Sequence, residues 1–310
     1  MDIRPVTSGD LAAVARLCEA ELVLDRDAAA LPGVLAQGRF VGLLALQGSR
    51  PIGACFGSLA AANGQAPQGF IDLIVVDRAE QRRGVGRRLL AGMERQLASM
   101  GCERVAVAGN GTYYAWPGID VHYTAAVCFA EDLGYRRTGC EVNMDVDLLR
   151  VQLDTEADEE RLRRAGILIR PATARDDGWL QDSLAPTWIA AWVAELETSL
   201  RSDAAGLHIA IQGGRCIGFC AHGIRHQHEI GPVGTHPDVR RMGIGGVLLR
   251  RCMRDLRERG LTVAELGWAG PLPYFSRSVQ ATIGRVFWLY EKDLLGRMQG
   301  PDWRARVGLI

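Results

Sequence analysis

The strongest constraint on what this chain can fold into is that it repeats itself. Ile3-Arg4-Pro5-Val6-Thr7 returns as Ile169-Arg170-Pro171-Ala172-Thr173. Gln47-Gly48-Ser49-Arg50-Pro51-Ile52-Gly53-Ala54-Cys55 returns as Gln212-Gly213-Gly214-Arg215-Cys216-Ile217-Gly218-Phe219-Cys220. Gln81-Arg82-Arg83-Gly84-Val85-Gly86 returns as Arg240-Arg241-Met242-Gly243-Ile244-Gly245. The period is several times longer than a solenoid repeat of ~20–50 residues, so this is a duplicated domain. The register shortens between the second and third pairs. Ala60 to Gln68, rich in Ala, Gly, Gln and Pro, is where the first copy carries an extra loop.

Each copy reads in the same order: a strand, one or two helices, a hairpin of apolar runs joined by a Gly turn, and a further strand. The Gly motif, a helix, another strand and a final helix with a closing strand follow. That order predicts an α/β (α+β) architecture. A chain of 310 residues with 48% apolar and 23% charged residues can bury two cores. We place the copies at 1–150 and 166–310, with 151–165 between them. Asp154 to Arg164 is dense in charge and reads as a solvated, helix-capable linker.

Thirty-six basic residues balance thirty-six acidic ones, so no global field favours nucleic acid or an anionic membrane. The N-terminus lacks a basic region followed by an apolar stretch, and no run approaches the ~20 apolar residues of a membrane helix. A cytoplasmic location is the expectation. Eight cysteines without CxxC or metal-like spacing point to free buried thiols, with Cys216 and Cys220 as core residues of an apolar strand. Strand alternation would put His222, His226 and His228 on one face near Glu229. Without a cleft-forming signal they are expected as exposed or hydrogen-bonded imidazoles, and no metal is expected. Trp179, Trp188 and Trp192 fit the packed face of a helix.

Ile71 to Val76 is a buried strand by composition, and the segment from Gly86 to Leu97 has helical spacing of Leu and Met. The Gly-rich turn between them presents free N–H groups at the positive end of the helix dipole, where a pyrophosphate can approach without meeting a Cβ. One such match is weak. Two at matching places in a duplicated context are not. A Walker A loop is excluded because no Lys-Ser or Lys-Thr follows, and a Rossmann turn because its third Gly is missing in both copies.

This strand, Gln/Arg-x-x-Gly-x-Gly/Ala turn and helix resembles the signature of the GNAT (Gcn5-related) acyltransferase superfamily, in both halves. The resemblance implies two tandem domains, each a mixed, mostly antiparallel sheet flanked by helices, with acetyl-coenzyme A as co-substrate and no metal. It implies that Gln81, Arg82, Arg83, Gly84, Val85, Gly86 and Arg87 hold pyrophosphate in the first copy. Arg240, Arg241, Met242, Gly243, Ile244, Gly245 and Gly246 would do so in the second. The pantetheine arm would run along Ile74, Val75 and Val76, and along Val233 and Thr235. Family members carry a carboxylate near the splay of the preceding strand. Asp72 occupies that place, and Gly231 its counterpart.

Both copies depart from the family at the Tyr that protonates the leaving thiolate, with Ala130 in the first and Phe275, beside Tyr274, in the second. General acid catalysis is worth ~10²–10⁴-fold and a thiolate leaves tolerably well near neutral pH, so its loss does not end turnover. The segment from Tyr113 to Tyr123 follows the fifth strand, where the family places acceptor contacts. It offers Tyr113, Tyr114, Trp116 and Asp120 to an acceptor, and His122 and Tyr123 as proton-handling groups beside Asp72.

The resulting expectation is acetyl transfer to a primary amine of a small molecule, by direct attack in a ternary complex, in the first domain. A non-catalytic acyl-coenzyme A sensor and a protein N-acetyltransferase are the rivals. A monomer is expected ahead of a homodimer, because a tandem chain supplies internally the interface that single domains make by dimerising.

Overall fold

Each Ile-Arg-Pro-x-Thr segment folds as a short strand followed by a cap, in a computed structural model that describes residues 1–25, 27–37, 40–60, 66–110, 115–203 and 205–296. The Arg4 guanidinium grips Asp10 through two hydrogen bonds of 2.7 and 2.8 Å, and the Thr7 amide and hydroxyl donate to the same carboxylate. Arg170, Thr173 and Asp176 repeat the arrangement. The repeated Arg and Thr are therefore ligands of a carboxylate that caps the next turn.

Unit 1 comprises β1 (Asp2–Pro5), α1 (Leu11–Glu21), α2 (Leu31–Gln37), β2 (Val41–Gln47), β3 (Arg50–Ala60), β4 (Gln68–Val76), α3 (Val85–Ser99), β5 (Arg104–Val107), β6 (Ile119–Asp120), α4 (Thr124–Asp132) and the first half of β7 (Arg136–Asp147). Unit 2 takes the second half of β7, then α5 (Glu156–Arg164), β8 (Leu168–Pro171), α6 (Asp177–Leu184), α7 (Ala190–Leu200), β9 (Gly206–Gln212), β10 (Arg215–His222), β11 (Glu229–Thr235), α8 (Ile244–Glu258), β12 (Val263–Leu266), α9 (Leu272–Val279) and the start of β13 (Thr282–Asp293). In each unit the first four strands form an antiparallel meander and the fifth joins in parallel, giving the mixed, mostly antiparallel sheet flanked by helices.

The compact units do not share the boundaries of the sequence copies. Unit 1 is Met1–Glu141 closed by the chain from Phe287 onward, and unit 2 is Val142–Val286. Each unit borrows its closing strand: β13 pairs β5 from Tyr290↔Val107 to Asp293↔Arg104, and β7 pairs β12 from Val263↔Asp147 to Leu266↔Met144. Both borrowed strands are 12 residues long, enough for two halves to serve different partners. Tyr290 is 1% exposed in unit 1, with its hydroxyl donating to Glu131 at 2.8 Å, and Lys292 holds Glu94 at 2.9 Å.

The charged segment before β8 is helical but not solvated along its length. Leu162 of α5 is buried, Asp158 and Glu159 pair with Arg250 and Arg251 of α8, and Arg254 donates to the Leu153 carbonyl. A helix with acid in its first turn and base in its last also complements its own dipole. Trp192 of α7 stacks on Trp188 at 5.7 Å and both meet Phe219 edge-on, but Trp188 lies in the connection between α6 and α7 and not on a helix face. All eight cysteines are free, and Cys216 and Cys220 are buried.

Candidate functional site

Asp72 sits where β4 breaks step. Phe56 of β3 faces Leu73 while its neighbour Gly57 faces Ile71, which leaves Asp72 as the extra residue of a β-bulge. The bulge reverses the alternation of β4. Leu73 and Val75 enter the core beneath α1 and α2, whereas Ile71 packs in the core beneath α3, with Ile74 and Val76 against it. Val75 therefore turns its side chain away from the face that Ile74 and Val76 share. β5 follows β4 only to Ile71↔Val107, and after the Ala108 amide bonds the Ile71 carbonyl at 2.9 Å it departs. The β5-side edge from Asp72 to Val76 is left without a strand partner among the described residues. This is the splay.

At the end of that edge the Asp72 carboxyl is 5% exposed, and neither oxygen closes a hydrogen bond among the described residues. Burial pushes it up to about 7, with the nearby Ser58 hydroxyl pulling the other way. Ser58 accepts from the Asn110 side-chain amide at 2.7 Å, and both residues are buried. A buried carboxyl poised near neutrality, at the bulge where β4 and β5 part, can accept a proton. The sequence singles out Asp72 but not Ser58 and Asn110, which carry no motif and are identified only by where the strands bring them.

The turn after β4 is built for its backbone. Asp77 caps the short turn Arg78–Glu80 by accepting from Ala79 N, and Arg50 holds both Asp77 (2.9 Å) and Glu80 (2.7 Å). Gln81 donates to the Val76 carbonyl at 3.0 Å and to Glu21 at 3.1 Å, so its amide braces the turn. Arg82 (φ 63°) and Gly84 (φ 84°) are left-handed, a region that costs a side-chain-bearing residue about 1–2 kcal/mol. The first amide of α3 to find a carbonyl is that of Arg88, on Gly84 at 3.1 Å, so those of Val85, Gly86 and Arg87 face out of the helix end. Arg82, Arg83 and Arg87 are exposed around them, and Arg83 pairs with Glu80 at 3.4 Å. Free amides, a positive helix end and no Cβ at Gly84 fit a pyrophosphate.

Of the acceptor segment, Tyr113 and Tyr114 lie outside the described residues. Trp116 and Tyr123 converge on Asp25, at 2.8 Å from the indole nitrogen and 2.7 Å from the phenol, and the Tyr123 hydroxyl also accepts from Leu24 N. The α1–α2 connection is thereby fastened to the segment. Nothing in the sequence singled out Asp25. Buried Asp120 holds the exposed His122 ring at 2.8 Å.

Unit 2 repeats the backbone and changes the side chains. The register breaks at the same place, with Cys220↔Val233 followed by His222↔Ile230, and Gly231 stands where Asp72 does. The left-handed pair is Arg241 (φ 68°) and Gly243 (φ 89°), and Ile244, Gly245 and Gly246 open α8. Arg240 reaches the Thr235 carbonyl at 3.5 Å, as Gln81 does Val76. Val233 is half-buried against the α8 core. Arg225 approaches Gly231, held by Glu229 at 2.5 Å and Glu195 at 2.9 Å, and burial pushes Glu195 up to about 7 against the pull of Arg225. Phe275 is buried, while the Tyr274 hydroxyl reaches the motif, 2.5 Å from where a Cβ on Gly245 would stand.

The three histidines do not share a strand face. His222 ends β10 and, with His208, points at Asp255, whereas His226 and His228 follow in the connection, rings 6.0 Å apart. Among the described residues no group of His, Cys, Asp and Glu is arranged to hold a metal, and no helix is long and apolar enough to cross a membrane.

The model of the acetyltransferase (GNAT) family matches residues 12–115 and 177–269. A mycothiol acetyltransferase of Clavibacter michiganensis subsp. michiganensis (strain NCPPB 382) is 29% identical over 249 residues, 72% of this chain and 70% of that protein. Among solved structures, a tandem GNAT protein from the clavulanic acid biosynthesis pathway superposes with a TM-score of 0.65 at 17% identity, covering 97% of this chain and 99% of that one. The glucosamine N-acetyltransferase region of a fungal multi-domain GH3 β-N-acetylglucosaminidase gives 0.74 at 18% identity over 94% of this chain, which spans 38% of that longer one.

Proposed function

The chain belongs to the GNAT acetyltransferase family, and from that premise we propose that unit 1 moves the acetyl group of acetyl-coenzyme A to a primary amine of a small molecule. The observation that carries this reading is Asp72, a buried carboxyl without a hydrogen-bond partner among the described residues, raised to about 7 at the bulge where β4 and β5 part. The co-substrate supplies a thioester carbonyl. The turn from Gln81 to Arg87 binds its pyrophosphate through backbone amides, and the free edge of β4 from Ile74 to Val76 aligns the arm. Asp72 takes the proton that the amine nitrogen sheds as its bond to the acetyl carbon forms and the carbon–sulfur bond breaks, coenzyme A leaving as its thiolate with the bonding pair. The segment holding Trp116, Asp120, His122 and Tyr123, fastened through Asp25, orients the acceptor. The name of the mycothiol acetyltransferase relative supports a small-molecule acceptor over a protein.

A second reading puts turnover in unit 2, favoured by the Tyr274 hydroxyl at the motif, where unit 1 offers Ala130. Thiol release with acetyl-coenzyme A and a panel of amines tests the proposal, with turnover expected on small primary amines. Saturable binding without turnover across the panel would leave a sensor, and turnover on peptides alone a protein acetyltransferase.

A further inference from the structure

The helix between the two sequence copies ends on the second motif. Arg161 of α5 donates through Nη1 to the Met242 carbonyl at 2.9 Å, and its Nη2 lies 2.9 Å from where a Cβ on Gly243 would stand. In unit 1 a Cβ on Gly84 would meet no atom within 4 Å. We propose that Arg161 is a positioning residue for coenzyme A at the unit 2 motif, bracing the turn through the Met242 carbonyl. The proposal rests on reading that motif as a coenzyme A site.

The effect on the turn follows from peptide geometry. In a trans peptide the carbonyl and the next N–H point in opposite directions, so a guanidinium on the Met242 carbonyl leaves the Gly243 N–H facing the other way. Engaging a carbonyl with a cation polarises the peptide and makes its N–H a better donor, and the bond also pins a turn whose Arg241 and Gly243 are both left-handed. Arg161 is itself held: Nη2 donates to Asp158 at 2.9 Å, and Asp158 is held in turn by Arg250 of α8 at 2.5 Å. The Glu159–Arg251 pair and buried Leu162 fix the rest of α5.

Calorimetric titration of the full chain with coenzyme A tests this. The wild type is expected to show two sites, and Gly243→Val to remove one, which identifies the unit 2 site. Arg161→Ala should weaken that same site about five- to tenfold by loosening the turn and losing the polarising charge. Arg161→Lys, which keeps the charge and one donor, should recover part of the loss, a rescue that a merely structural role would not give. Half the Arg161 side chain is exposed, so its removal opens no cavity. Should the Ala variant fail to fold, the Lys variant decides, with an affinity below wild type expected. Wild-type affinity in both Arg161 variants, at a site that Gly243→Val removes, would overturn the proposal and leave the coenzyme A reading standing. If Gly243→Val removes no site, both fall.

Discussion

Unit 1 carries a carboxyl on its bulge and Ala130 where the family's phenol would be, whereas unit 2 carries Gly231 on its bulge and brings the Tyr274 hydroxyl to its motif. Around this difference the turn itself barely changes: φ is 63° and 84° in the first copy, 68° and 89° in the second. A backbone cradle depends on a strand end, a helix start and two left-handed residues acting together, so few substitutions pass without losing it. Proton handling rests on single side chains, each replaceable alone. The duplicated fold has kept what is collective and divided what is individual.

The largest effect expected from this comparison is that of Asp72→Asn on turnover. Asn keeps size and hydrogen-bonding capacity but not basicity, so kcat/KM should fall ~10²–10⁴-fold near neutral pH. Because Asp72 is raised to about 7, the wild-type rate should climb with pH through a limb near that value, as the carboxyl loses its proton. The variant should lack that limb and regain rate only as the amine, with a pKa near ~10, arrives deprotonated. A pH-independent loss would make Asp72 an orienting residue. No loss at all would move attention to Asp120, His122 and Tyr123.

Next in size is Gly84→Val on coenzyme A affinity in unit 1. A β-branched residue at φ 84° costs a few kcal/mol, so roughly tenfold to a hundredfold weaker binding is expected, read by calorimetry or by loss of coenzyme A's thermal protection. Unchanged affinity at that site would break the assignment of the turn to the cofactor.

The parts of this site that were legible in the sequence are those written as local pattern. The repeat, the Gly turns, the strand before them and the carboxylate at Asp72 all follow from residues within one strand–turn–helix unit. The surroundings that bury Asp72 do not. Ser58 is on β3 and Asn110 beyond β5, and the bulge that isolates the carboxyl is a register mismatch between two strands. Asp25 and Arg161 escaped for the same reason, being polar residues whose targets are distant in sequence. The exchange of closing strands is equally invisible, because a 12-residue strand reads the same whichever fifth strand it pairs.

A smaller effect, of opposite sign, should appear in stability. A carboxyl with a raised folded pKa binds its proton more tightly in the folded chain than in the unfolded one. Its favourable contribution is present below the unfolded value near ~4 and is lost as pH rises through about 7. Above neutrality the wild type therefore carries an ionised, buried Asp72 that Asp72→Asn does not. The variant should unfold at a higher temperature than wild type at alkaline pH, by on the order of 2 kcal/mol, and show little advantage below about pH 5. An advantage that does not depend on pH would mean that ionisation of Asp72 is not the cause.

The smallest expected effect is the one most able to overturn the comparison. If unit 1 carries turnover, Tyr274→Phe should alter kcat/KM by no more than about twofold, since the phenol stands at the other unit's motif and general acid help there serves no reaction. The substitution keeps the ring, whose edge packs on Phe275 at 5.3 Å between centroids, so stability should change little and a rate effect can be read as chemistry. Burial raises the Tyr274 pKa, so the hydroxyl keeps its proton across the neutral range and is fit to donate one. If the rate instead falls ~10²-fold or more, with the alkaline limb of the pH profile lost, then Tyr274 is protonating a leaving thiolate and unit 2 is the active one. Asp72→Asn in the same assay would then be expected to leave the rate nearly untouched, and the two substitutions together assign turnover to one unit or the other.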